Sequence, residues 1–259
     1  MKQMGITIIG IDCAVEDKNV GLALATFDGH EARIEQVPGE LKEGSVVDIV
    51  ADWIKQYSPA PALLALDAPL GWPVGLRKAL RNHKAGKPIR VGRDYMFRRM
   101  TDQQEFWKEM KKHPLDVGAD RIARTAHAAL DLLHKLRSKT GQEIPLAWKP
   151  SMISRTCAIE VYPAGTLKVH GIDAPGYKEK GRQDARQLIV DQLEQHHIQR
   201  AGKFPLLLDN ADALDAVLCV LAGVDFLRGE VIEPTDLKLA KKEGWIWVWN
   251  PSKAQGEVR

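Results

Sequence analysis

The amino-acid sequence predicts an α/β fold built on a mixed β-sheet. Three observations carry that reading. Ile6-Thr7-Ile8-Ile9-Gly10-Ile11-Asp12 is almost wholly apolar and β-branched, the pattern of a central strand buried on both faces. Two further strand-like runs follow it through short turns, which makes an antiparallel meander. An amphipathic helical stretch then separates the meander from a short apolar run, Leu63-Leu64-Ala65-Leu66, so that this strand returns parallel to the first.

The elements follow in order. Asp17-Lys18-Asn19 is a turn, residues 20–27 a second strand, Asp28-Gly29 a turn and residues 32–37 a third strand. Ser45 has the chemistry of an N-cap, with Asp48 three residues on as its capping partner. Val46, Val50, Trp53 and Tyr57 then recur on one helical face until Pro59 and Pro61 end the helix. Residues 72–116 break the pattern and read as a partly helical insertion over one end of the sheet. A longer helix spans residues 117–137, burying Ile122, Ala126, Ala129, Leu133 and Leu136. Residues 156–162 read as a strand closed by Pro163, residues 184–196 and 211–227 as helices, and Trp245-Ile246-Trp247-Val248-Trp249 as a final strand. Residues 1–251 are expected to form one domain that contains the insertion, with residues 252–259 a flexible tail.

Composition narrows the class. The 259 residues are 44% hydrophobic and 27% charged, which excludes collagen-like and largely disordered chains. No run approaches the ~20 apolar residues of a membrane span. The apolar start at Ile6 is too short for a signal-peptide core. Cys13, Cys157 and Cys219 form neither a C-x-x-C motif nor a disulfide framework, so a reducing cytoplasm is the expected setting.

The formal charge of +3 conceals an asymmetry. Arg77, Lys78, Arg81, Lys84, Lys87, Arg90, Arg93, Arg98 and Arg99 face a single acid, Asp94, so this stretch carries +8; the other 28 basic and 33 acidic residues leave −5. A basic block inside the insertion suits sequence-independent phosphate contacts. Arg81, Lys84 and Lys87 are its expected binding residues, with Tyr95, Phe97 and Phe106 interleaved, chiefly as packing residues.

Acids stand where packing would not place them. Asp12 ends the first strand and Asp67 follows Leu66 at the end of the fourth. Parallel neighbours would bring both carboxylates to the carboxyl edge of the sheet, where open α/β sheets bind ligands. Close carboxylates raise each other's pKa unless a cation intervenes, and an oxygen-only site suits Mg²⁺ or Mn²⁺. Asp212 and Asp215, three apart on one helical face among Ala211, Ala213 and Ala216, are candidates to complete the cluster, whereas Asp209 reads as the N-cap of their helix.

Gly10-Ile11-Asp12, Asp67-Ala-Pro-Leu-Gly-Trp-Pro73, Arg99-Met-Thr-Asp102, Glu160-Val-Tyr-Pro-Ala164 and Asp212-Ala-Leu-Asp215-Ala216 occur in this order. Together they resemble the domain-of-unknown-function family 429 (DUF429), whose members are regarded as RNase H-like nucleases. The resemblance implies an RNase H-like fold: a five-stranded mixed sheet of order 3-2-1-4-5 flanked by helices, the basic segment being inserted after strand 4. It implies catalytic roles for Asp12, Asp67, Glu160, Asp212 and Asp215, although the residues alone read Glu160 equally as a strand-edge acid in an ion pair. In the reaction so implied, Asp12 bridges two cations, Asp67 holds one and Asp212 or Asp215 the other, and phosphodiester bonds are hydrolysed. It also gives Arg98, Arg99, Thr101 and Asp102 substrate-binding roles, with Arg99 suited to bidentate phosphate contacts and Asp102 suited to hold Arg99 in place or to touch the metal. Two residues depart from the pattern of related nucleases: Ala14 stands where a glycine is usual, and Asp67 where Glu is common.

The expected partner is DNA or RNA, with no membrane, and the oligomeric state is left open, a homodimer included. Two other functions remain in view: a sugar-kinase-like small-molecule kinase, and a nucleic-acid-binding module without turnover. Asp17-Lys18-Asn19 is a poor phosphate cradle, and neither G-x-G-x-x-G nor G-x-x-x-x-G-K-[ST] occurs.

Overall fold

A computed structural model describes residues 5–254. Its centre is a mixed sheet of six strands. These are β1 (Ile6–Asp12), β2 (Gly21–Phe27), β3 (Ala32–Gln36), β4 (Ala62–Asp67), β5 (Cys157–Glu160) and β6 (Ile198–Arg200), in the spatial order β5-β4-β1-β2-β3-β6. The meander is antiparallel, and β4 runs parallel to β1 with Thr7 opposite Ala62 and Asp12 opposite Asp67. β5 is parallel to β4, and β6 is parallel to β3.

Among the described residues, eleven α-helices surround the sheet: α1 (Ser45–Gln56), α2 (Val74–Leu80), α3 (Arg93–Phe97), α4 (Glu105–Glu109), α5 (Asp120–Thr140), α6 (Pro163–Val169), α7 (Gln183–Leu193), α8 (Leu206–Asp209), α9 (Ala211–Leu227), α10 (Leu237–Glu243) and α11 (Pro251–Ala254). Strand alternation divides them between two faces. Ile9, Ile11, Leu22 and Leu24 pack with Val50, Trp53, Leu133 and Leu136 from α1 and α5. Ile8, Ala23 and Ala25 point the other way, onto α9 and α7. α9 is buried along nearly all its length, from Ala213 to Phe226. No helix among the described residues is long and apolar enough to cross a membrane.

Several expectations are corrected. The sheet has six strands rather than five, because residues 198–200 add an edge beside β3. Residues 245–249 form no strand: single bridges join Ile246 to Glu160 and Trp249 to Val231. The Trp247 N–H donates to the Glu160 carbonyl at 3.0 Å, while Thr101 Oγ1 accepts the Ile246 N–H at 3.0 Å. Trp245 and Trp247 are buried in the core with Phe226. Pro163 opens helix α6 instead of only closing β5, a proline position that the first helical turn tolerates. The N-cap of α1 is Gly44, at φ 77°, not Ser45, and Asp17 Oδ2 accepts the Val46 N–H. Asn210, not Asp209, caps α9, accepting the N–H groups of Asp212 and Ala213. The expected tail begins with the helical turn of α11, where Lys253 Nζ meets Glu233 at 2.7 Å; residues 255–259 lie outside the described ones. Cys13, Cys157 and Cys219 are free thiols.

Candidate metal centre

The parallel pairing of β1 with β4 is what brings Asp12 and Asp67 together. Both are last in their strands and stand in register. α9 crosses above them, and Asn210 fixes where that helix starts, so Asp215 arrives in its second turn with its side chain fully buried. One carboxylate oxygen from each of Asp12, Asp67 and Asp215 lies within 4.8 Å of the others. Adjacent oxygens around an octahedral cation with ~2.1 Å bonds are ~3 Å apart and opposite ones ~4.2 Å, so a small inward closure would seat one ion. The all-oxygen donor set suits a hard cation. This group could hold a metal ion.

The carboxylates are held at high electrostatic cost. Burial, then the charges of Asp215 and Asp67, push the Asp12 carboxyl well above the usual carboxylate range. Burial and Asp215 push Asp67 up to about 7, with Glu160 adding and Lys178 opposing. Burial raises Asp215 too, but Lys178 and Tyr177 pull it back. Tyr177 Oη donates to Asp215 Oδ1 at 2.7 Å, and the Lys178 ammonium contacts Asp215 Oδ2. Asp212 is half-buried and outside the triad, although its charge still raises Asp12. Of the two helix acids, Asp215 is the one that joins Asp12 and Asp67.

Tyr177 and Lys178 are not among the residues that the sequence singles out. They lie between α6 and α7, where Gly171, Gly176 and Gly181 adopt positive φ. The nearby turn residues hint at a shaped loop, but nothing in the sequence separates Lys178 from Lys180. Buried Arg186 of α7 fixes the loop by donating to the carbonyls of Tyr177 and Glu179. Tyr162 borders the same field; burial and then the charge of Asp67 push its hydroxyl up to about 12, so it stays protonated at neutral pH.

The Arg99 motif forms a separate buried network. Arg99 Nε and Nη2 donate to the two oxygens of Asp102 at 3.0 and 2.9 Å. Nη2 also meets Glu160 Oε1 at 2.7 Å, and Nη1 donates to Glu160 Oε2 at 2.9 Å and to the Glu243 carbonyl at 3.3 Å. Four hydrogen bonds and the Glu160 ion pair thus engage the guanidinium, whose side chain is buried. Glu160 Oε2 also accepts the Leu70 N–H, so it fastens the loop that leaves Asp67. Thr101 is buried, with its hydroxyl on Ile246 and its carbonyl on Trp107. Glu160, Arg99, Thr101 and Asp102 are thus placed to support the loop rather than to face solvent. Arg98 is half-buried and paired with Asp116 at 3.0 Å.

The basic segment behaves differently. Arg81, Lys84, Lys87 and Arg90 lie in a continuous exposed stretch joining α2 to α3. Lys78, His83, Lys84, Lys87 and Arg90 line a shallow cavity of about 380 Å³.

The class that emerges is an α/β protein with a carboxylate triad made of half-buried Asp12 and Asp67, at the carboxyl ends of two parallel central strands, and buried Asp215 from α9, with a basic arm that follows the second strand. Residues 10–238 match the model of a family described as a protein of unknown function (DUF429), and the chain belongs to that family. The match begins at Gly10 and takes in every member of the triad. No curated protein matches the chain significantly.

Proposed function

We propose that this protein is a divalent-cation-dependent nuclease with an RNase H-like core. The convergence of Asp12, Asp67 and Asp215 within 4.8 Å carries the reading. Mg²⁺ or Mn²⁺ fits the all-oxygen donors and relieves the repulsion that raises Asp12 and Asp67. Bound there, such a cation supplies charge neutralisation for a phosphodiester and activation of water.

The chain's own residues supply the rest. Asp12 and Asp67 hold fixed positions because each ends a strand with a register partner. Tyr177 orients the Asp215 carboxylate through its 2.7 Å hydrogen bond. Glu160 and Arg99 hold the backbone beyond Asp67. The exposed Arg81, Lys84, Lys87 and Arg90 attract the phosphate backbone, which favours a nucleic acid over a small phosphorylated metabolite. DNA and RNA are equally served by such contacts.

Cleavage of labelled DNA and RNA with added Mn²⁺ tests this reading, with Asp12→Asn as the control. Wild-type protein should cut at least one substrate only with the cation present, and Asp12→Asn should bind that substrate without cutting it. Equal trace cleavage by both proteins would identify a contaminant and overturn the reading.

A further inference from the structure

Both oxygens of Asp215 are contacted in this structure: Tyr177 Oη donates to Oδ1, and the Lys178 ammonium forms an ion pair with Oδ2, which has no hydrogen-bond partner among the described residues. The first contact is compatible with a bound cation, because a hydroxyl donor and a metal ion can share a carboxylate through different oxygens. The second is not, since an ammonium and a divalent ion repel each other at a single oxygen. Lys178 also acts on more than its contact partner. Its charge offsets the raised pKa values of Asp12, Asp67, Asp212 and Asp215. In turn Asp215, Asp12 and Asp67 outweigh the burial that disfavours its own charge.

We propose that Lys178 is an internal counter-ion that holds the place of the divalent cation at the triad and leaves Asp215 when the cation binds. This rests on the cation site proposed above and adds the group that competes for it.

The surrounding structure permits the exchange. Arg186 clamps the backbone on both sides of Lys178 through the carbonyls of Tyr177 and Glu179, so the loop need not move. The Lys178 side chain is 52% exposed although its partner Asp215 is 0% exposed. A long, flexible side chain anchored at its base and open to solvent along its length can swing its ammonium into water by rotamer changes alone. Neutral Tyr177 stays on Oδ1 and keeps Asp215 aimed at the triad. The ammonium so released remains tethered at the rim, near where an anionic substrate would approach.

Titration of metal-free protein with Mn²⁺ alone, followed by calorimetry, tests the exchange. Lys178→Gln removes the competitor and should bind Mn²⁺ at least tenfold more tightly than wild type, whereas Lys178→Arg, which keeps the charge, should stay near the wild-type value. Binding by Lys178→Gln with none by wild type would support the proposal in its strongest form. Equal or weaker binding by Lys178→Gln, with wild type binding normally, would overturn the exchange and leave the cation site standing. No binding by either protein at millimolar Mn²⁺ would remove the cation site and the exchange with it.

Should Lys178→Gln fail to fold, wild-type protein labelled with ¹⁵N-lysine gives an independent measure. One side-chain ammonium resonance, absent from Lys178→Arg, should move towards the free-lysine position as Mg²⁺ is added. An unmoved Lys178 resonance in the presence of bound Mg²⁺ would also overturn the proposal.

Discussion

A β-carbon on Gly10 would lie 2.0 Å from the backbone carbonyl oxygen of Ala216. The bare backbone of β1 at this point lets α9 lie close enough to the sheet for Asp215 to reach Asp12. Gly21 does the same on β2, where a β-carbon would meet the Asp212 carbonyl oxygen at 1.9 Å. In both cases the obstacle is backbone, so no side-chain rotation relieves it. Gly10→Ala must move the helix or unfold the protein.

The expected cost of Gly10→Ala is about 1–3 kcal/mol or more, the range for overpacking a close-packed interior. Where the variant folds, it should bind Mn²⁺ far more weakly than wild type, because α9 carries Asp215 away from the strand ends. Chemical denaturation and a Mn²⁺ titration check the two halves. Unchanged stability and unchanged affinity would show that α9 is not held by this close approach.

The triad makes stability depend on pH in a definite direction. Asp67 has its folded pKa raised from 3.8 to about 7. An acid that binds its proton more tightly in the folded state stabilises the fold where it is protonated. Metal-free protein should therefore lose stability as pH rises from about 4 to about 7, and Asp67→Asn should flatten that decline. Cation affinity should run the opposite way, rising with pH as Asp67 gives up its proton. Melting temperatures between pH 5 and pH 8, with and without Mn²⁺, separate the two trends.

Arg99 and Glu160 form a buried, bidentate ion pair. Arg99→Ala strands Glu160 and Asp102 without a counter-charge, and loss of one member of such a pair costs about 3–5 kcal/mol. Arg99→Lys should also be strongly destabilising, since one ammonium cannot reach acceptors arranged around a planar guanidinium. Denaturant midpoints read both effects. If Arg99→Lys matched wild type in stability, the network would not depend on the guanidinium shape.

Neutralising Arg81, Lys84 and Lys87 together should leave folding unchanged, because all three are exposed. Nucleic-acid affinity should fall, and the slope of log affinity against log salt should flatten by about 0.7–0.9 for each phosphate that is no longer neutralised. Binding isotherms at several salt concentrations give that slope. An unchanged slope would make this stretch an ordinary solvated loop.

Much of the centre could be read from the sequence because its signals are local. The apolar run ending at Asp12, the meander and the helix before Leu63 point to the mixed sheet and to the parallel pairing that unites Asp12 with Asp67. Other features depend on distant partners. The edge strand of residues 198–200 has no alternation of its own and forms only because β3 offers a free edge. The aromatic run at 245–249 has strong strand character, yet it meets distant residues through isolated bridges to Glu160 and Val231 and a side-chain bond to Thr101. Arg99 reads as a phosphate ligand until folding brings Glu160, 61 residues away, against it. Lys178 looks like any loop lysine, and only the approach of α9 pairs it with Asp215.

Whether Asp12, Asp67 and Asp215 together bind a divalent cation can be read from a crystal of the wild-type protein soaked in millimolar Mn²⁺. An anomalous peak bonded to an oxygen of each of these three residues is expected, with the Lys178 ammonium withdrawn from Asp215. An intact triad with no peak between its carboxylates at that concentration would rule out the cation site.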